Sequence, residues 1–386
     1  MIAYNKTWLY NLFIRSEVEV AFDEHCITKE EKENIGIKYT AAFYSPNIFI
    51  RIGLFILTTI ILIFSLGLIA LLFINAIEDA AGGIAIFFAI LVFAALEFML
   101  KAKNHYQSGV DDALLWGAAI SLFCGIVLPH NMDGLTTCLV GFIISLICAA
   151  RYADRLMTSL CFISFLGIVF FISIKAGDIA KAVLPFIIMA ISFITYFLVK
   201  KKNHAGTFNV YGACMVIVEI VCLFTLYAAG NYWVVRELSD SMFNLHLQPG
   251  QSIPFGFVFW GFTILIPMIY LLFGIKNKDA VLLRVGLILV AAIVFTVRYY
   301  HAVLALEIAM LLGGAILIVI AWALTRYLQV PKHGFTKDEL STRNVMDNMH
   351  IESLVLAETF SQQPQINEGT QFGGGSFGGG GTSGDF

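Results

Sequence analysis

Apolar runs long enough to cross a bilayer recur along most of the chain, and that recurrence limits its fold more than any other feature. They occupy residues 52–74, 81–100, 113–128, 135–150 and 156–174, then 183–199, 210–229, 255–273, 280–297 and 303–324, and polar or charged residues close each one. The expected architecture is an all-α, polytopic transmembrane helical bundle of about ten spans. The runs at 113–128 and 135–150 are short; a tight buried hairpin is the alternative there, at a loss of two spans. Hydrophobic residues fill 59% of the 386 positions and charged residues 13%, with a mean hydropathy of +0.83, a balance that excludes a soluble domain. The lipid bilayer is the expected surrounding. A net charge of −3 leaves no basic surplus for a phosphate backbone, so nucleic acid is not an expected partner.

Lysine and arginine set the orientation. Breaks after the even-numbered runs carry Lys101 and Lys103, Arg151 and Arg155, Lys200 to Lys202, and Lys276 with Lys278. Breaks after the odd-numbered runs carry Glu78, Asp79 and Asp133, with positive charge only at Lys175, Lys181, Arg236 and Arg298. Both termini are therefore expected in the cytoplasm. The early charges Lys6, Arg15, Glu17, Glu19, Asp23 and Glu24 do not suit a cleavable signal peptide, so the first span is expected to be its own insertion signal.

Four regions follow. Residues 1–48 read as a cytosolic helical segment, with Trp8, Leu9, Leu12 and Phe13 at helical spacing in a first helix. Thr28 and Glu31 have capping-box spacing and open a second. Residues 49–328 are the transmembrane bundle; within it the outer connection 231–254 is too apolar for a free loop, and an interfacial helix with Tyr232 and Trp233 at headgroup level accounts for it. A lid over an outward-facing cavity is the functional version. Residues 329–362 read as a cytosolic amphipathic helix, opened by Thr336 and Glu339. Residues 363–386 form a Gly-rich tail too poor in apolar surface to fold, in which Phe372, Phe377 and Phe386 offer contacts to a protein partner.

The turn Ile27-Thr28-Lys29-Glu30-Glu31 ahead of paired spans, together with the Gly-rich ending, resembles a bacterial family of uncharacterised multipass membrane proteins. His25 and Cys26 stand where the family's usual glycine precedes the turn. The resemblance extends over most of the chain. It implies a multipass bundle in the bacterial cytoplasmic (inner) membrane, and it brings no agreed activity.

Chemistry-bearing residues are few. The seven cysteines form no C-x-x-C pair and the eight histidines are scattered, so neither a metal nor another cofactor is expected. An ionisable residue inside a span is costly and a functional candidate by default. Glu219 lies near the middle of its run, and reads as a hydrogen-bonded carboxyl or as a proton or substrate site. Glu97, four residues before Lys101, reads as an ion pair; Arg284 lies where it can snorkel. Arg298, Tyr299, Tyr300 and His301 precede Glu307: His301 and Glu307 suit a proton-accessible pair, or Arg298 pairs with Glu307 in an aromatic-belt turn. Arg151, Asp154 and Arg155 face Asp111 and Asp112 across neighbouring breaks, which suggests salt bridges between loops. Ala305, Ala309 and Gly313 recur at four-residue spacing and predict a close helix contact.

Three functions compete. A noncatalytic membrane protein engaging partners through its cytosolic ends leads, because polar groups inside the spans are sparse. A small-molecule or proton-coupled transporter would use Glu219, with proline breaks at Pro185 and Pro267. An intramembrane enzyme comes last, since no paired nucleophile and base is visible.

Overall fold

The computed structural model describes residues 2–23, 25–73, 77–202 (77–80 by backbone only), 209–243, 252–253 and 255–300, with eight single positions between 308 and 326. Twelve α-helices and no strand occur among these residues; Tyr44 and His105 form one isolated bridge. Helices α1 (Lys6–Asp23) and α2 (Lys29–Lys38) come first. The bundle follows as α3 (Ile48–Leu72), α4 (Ile77–Lys103), α5 (Val110–Val127), α6 (Gly134–Tyr152), α7 (Arg155–Lys175), α8 (Asp178–Lys202) and α9 (Gly212–Gly230). A short α10 (Tyr232–Phe243) precedes α11 (Gly256–Asn277) and α12 (Ala280–Tyr300). Nine of the twelve, α3 to α9 with α11 and α12, are long and apolar enough to cross a membrane, which makes this an integral, multipass membrane protein.

Local chemistry fixes where the helices start. Thr28 and Glu31 form the capping box at α2, with the Glu31 amide donating to the Thr28 hydroxyl at 3.3 Å and the Thr28 amide donating to the Glu31 carboxylate at 2.8 Å. These bonds hold the Glu31 carboxyl below its ordinary value. Asn47, Asp133 and Asp154 cap α3, α6 and α7 through their side chains. Residues 113–128 and 135–150 are not a short buried hairpin: α5, extended by a 3₁₀ turn over Leu128–His130, and α6 each have spanning length.

Sequential helices pack as neighbours: α4 on α5, α6 on α7, α8 on α9 and α11 on α12. One cluster of buried residues joins Phe88, Val92 and Leu96 of α4 to Leu115 and Ala118 of α5 and Met157 of α7. A second joins Leu166, Tyr196, Leu223, Ile266 and Leu289 from α7, α8, α9, α11 and α12. Helix α3 has no buried residue, and its apolar side chains, such as Ile56, Ile63 and Phe64, are exposed to the lipid. The tightest approach between α4 and α5 depends on two glycines. A Cβ on Gly125 would lie 2.8 Å from the Gly82 carbonyl oxygen, and one on Gly82 would lie 2.3 Å from Pro129 Cγ.

One sequence expectation needs correction. Pro185 and Pro267 do not break their helices, since α8 and α11 continue through them, and Pro267 is fully buried. Tyr232, in the first turn of α10, faces the protein. It is 4% exposed and stacks on Trp260 of α11 at 4.8 Å, because α10 lays Tyr232, Val235 and Arg236 against the bundle. Asn231 supplies the anchor: its amide donates to the Tyr227 and Thr296 hydroxyls, and its oxygen accepts from the Trp233 amide. The expected tenth span at 303–324, the helix at 329–362 and the tail at 363–386 lie outside the described residues, apart from helical positions such as Ile308 and Trp322.

Gly125→Leu should lower stability by about 1–3 kcal/mol through overpacking, read as a lower melting temperature of the purified protein. Gly261→Leu, where an added Cβ meets nothing within 4 Å, is the matched control and should melt as the parent does.

Candidate functional site

The ion pairs Arg51–Asp112, Glu97–Arg151, Lys200–Glu219 and Lys200–Asp279 all lie toward one end of the bundle, the end shared by the starts of α3, α5, α7, α9 and α12. The N-terminal segment is pinned there, with the Ala3 amide donating to the Arg151 carbonyl at 2.8 Å and Leu9 of α1 buried. Two polar groupings result.

The first contains Glu219, which is 6% exposed. It lies seven residues past the start of α9, and the Lys200 ammonium from the last turn of α8 stands 4.0 Å from its Oε1. Lys200 also pairs with Asp279 and donates to the Tyr196 hydroxyl at 2.7 Å. Asp279 in turn caps α12, its Oδ1 accepting from the Val281 and Leu282 amides. One cation thus serves two carboxylates from two other helices. Residue spacing hides this, because Lys200 and Asp279 are 79 positions apart.

The second grouping surrounds a cavity of about 300 Å³. Asp111 and Asp112 in the first turn of α5, Asp154 at the cap of α7, Arg51 of α3 and Arg155 line it, with the rings of Tyr4, Tyr106 and Trp116. Arg51 donates to Asp112 at 2.6 Å. Asp111, 3% exposed, accepts from the amides of Gln107 and Ser108 at 2.7 and 2.8 Å and so fixes the turn before α5. That turn needs Gly109, whose φ of +88° places its Cα against the Arg51 carbonyl, where a Cβ would come within 2.2 Å of the oxygen. Trp116 Nε1 donates to Asp154 at 3.2 Å. Tyr106 meets the Tyr4 ring edge-on at 5.0 Å and stacks on Phe43 at 5.0 Å. Burial, then the carboxylates of Asp111 and Asp112, hold the Tyr4 hydroxyl well above its ordinary value.

Salt bridges do form at these breaks, but with other partners than the spacing suggests. Arg151 pairs with Glu97 at 2.7 Å and Asp112 with Arg51, so each loop charge reaches back to a helix end. Glu97 also meets Lys101 at 3.5 Å, the expected i, i+4 pair, and accepts from the Tyr152 hydroxyl at 2.8 Å. Arg284 is exposed. Arg298 is in the last turn of α12, while His301, Glu307, Ala305, Ala309 and Gly313 lie outside the described residues. Sequence reasoning did not assemble the cavity. Its available signals were the acidic pair after Gly109 and the aromatic residues Tyr106 and Trp116 flanking it. Among the described residues, no three His, Cys, Asp or Glu side chains group closely enough to hold a metal ion.

No family model, curated protein or solved structure matches this chain.

The Lys200 arrangement makes a stability prediction. Lys200→Met leaves Glu219 and Asp279 facing each other uncompensated and should cost about 2 kcal/mol. Adding Glu219→Gln should restore part of that loss. A double-mutant cycle on the unfolding free energy in mixed micelles measures the coupling.

Proposed function

We propose that this chain is a noncatalytic multipass protein of a bacterial inner membrane that engages a protein partner from its cytosolic face. The observation supporting this reading is α2. None of its residues is buried, Lys29, Glu30, Glu31 and Glu33 are exposed, and Ile37 is 74% exposed. The helix stabilises no core, yet it is held in a defined place. Its capping box fixes one end, the Asn11 amide donates to the Thr40 carbonyl at 2.7 Å, and the Lys32 ammonium lies 4.3 Å over the Phe22 ring. A surface held rigid while burying nothing adds little to stability, and its pattern of charges can select a partner of complementary charge. The positive-inside rule supports the orientation, because Lys101, Arg151, Lys200 and Lys276 belong to the same end of the bundle as α1 and α2. By its composition, the tail at 363–386 is a second contact region.

The transporter reading rests on Glu219 alone, and the nearby Lys200 ammonium favours a structural role for that carboxyl. Proteoliposome proton flux abolished by Glu219→Gln would restore it. For the favoured reading, a photo-reactive residue at Ile37 should give one discrete adduct in cells. Lys29→Glu combined with Glu33→Lys should remove that adduct while shifting stability by less than about 0.5 kcal/mol. An absent adduct, or one indifferent to the charge reversal, would sink the proposal.

A further inference from the structure

We infer that the cavity bounded by the N-terminal segment, α3, α5 and the α6–α7 turn is a binding site for a small organic cation, an ammonium group carried on a compact carbon body. Its volume of about 300 Å³ exceeds what a bare ion fills and lies at the small end of ligand pockets. The chemistry of the lining selects the ligand's charge. Three carboxylates, Asp111, Asp112 and Asp154, stand against two guanidinium groups, Arg51 and Arg155, so the lining carries one more negative than positive charge. Arg51 and Asp112 neutralise each other at 2.6 Å, so Asp111 and Asp154 against Arg155 set the remaining charge. The same field acts on Tyr4, whose hydroxyl resists ionisation through burial and the neighbouring aspartates.

The walls select the ligand's body. Tyr4, Tyr106 and Trp116 present aromatic rings, which attract cations through their quadrupoles, and Leu96, Leu115 and Leu156 complete an apolar surface. A hydrated inorganic cation would leave that surface facing water. The described carboxylates also do not converge as a metal site does. A cation with its charge at one end and carbon at the other satisfies both parts of the lining. The site is independent of partner binding at α2, since Ile37 and the reversed charges do not line the cavity.

The test is calorimetric titration of the full chain, purified in a nonionic detergent, with choline chloride and with putrescine. Sodium glutamate and potassium phosphate serve as anion controls. Saturable binding of either cation at one site per chain is expected, with no heat from the anions. Asp154→Asn should weaken it about tenfold, because asparagine keeps an oxygen to cap α7 and accept from Trp116 while removing the charge. Should that variant melt below the parent, Tyr106→Leu takes its place, with the same expected loss. The proposal is overturned if neither cation binds up to about 10 mM, if an anion binds in their stead, or if a variant melting as the parent does keeps full affinity.

Discussion

Lipid tails are as apolar as leucine, so in a bilayer no hydrophobic force pushes spanning helices together, and contact must come from close packing and from polar groups seeking partners. Helix α3 shows the first half of that constraint, with no buried residue although nearly every side chain is apolar. The α4–α5 pair shows the second. Gly82 and Gly125 let two backbones approach until an added methyl group would clash. Elsewhere single hydrogen bonds serve the same purpose, as when the Tyr270 hydroxyl of α11 donates to the Leu223 carbonyl of α9 at 3.1 Å.

Polar cost also explains where charge lies. Ionised groups at the bilayer centre are expensive, and the cost falls toward the ends, where long side chains reach headgroups or one another. Glu97 with Arg151, Arg51 with Asp112, and Lys200 with its two carboxylates all obey this. These pairs bring together helices distant in sequence, so they fix the arrangement as well as neutralising charge. In the Lys200 grouping the ammonium has partners within the chain, donating to Tyr196 and pairing with Asp279 and Glu219. The cavity walled by Tyr4 differs, because its lining carries one more carboxylate than guanidinium around an open volume of about 300 Å³.

The N-terminal segment links these two themes. It contributes Tyr4 and Leu9 to the cavity wall through a strap held by the Ala3 amide on Arg151, and it then turns outward into the exposed α2. One segment thus touches both the proposed ligand space and the proposed partner surface.

The spans at α3 to α9, α11 and α12 were legible in the sequence because crossing hydrocarbon demands about 20 consecutive apolar residues, a local property. The capping box at Thr28 and the Glu97–Lys101 pair were legible for the same reason, since their partners lie three and four residues apart. What escaped was everything set by contacts between distant segments. Pro185 and Pro267 suggested breaks, but both helices continue through them. The stacking of Tyr232 on Trp260 likewise comes from the contact of α10 with α11. The partners of Arg151, Asp112 and Lys200, and the cavity with its charge balance, were decided only when separate helix ends met. Periodicity reports which residues share a face of one helix, whereas the charge that a side chain meets depends on which other helix packs against that face.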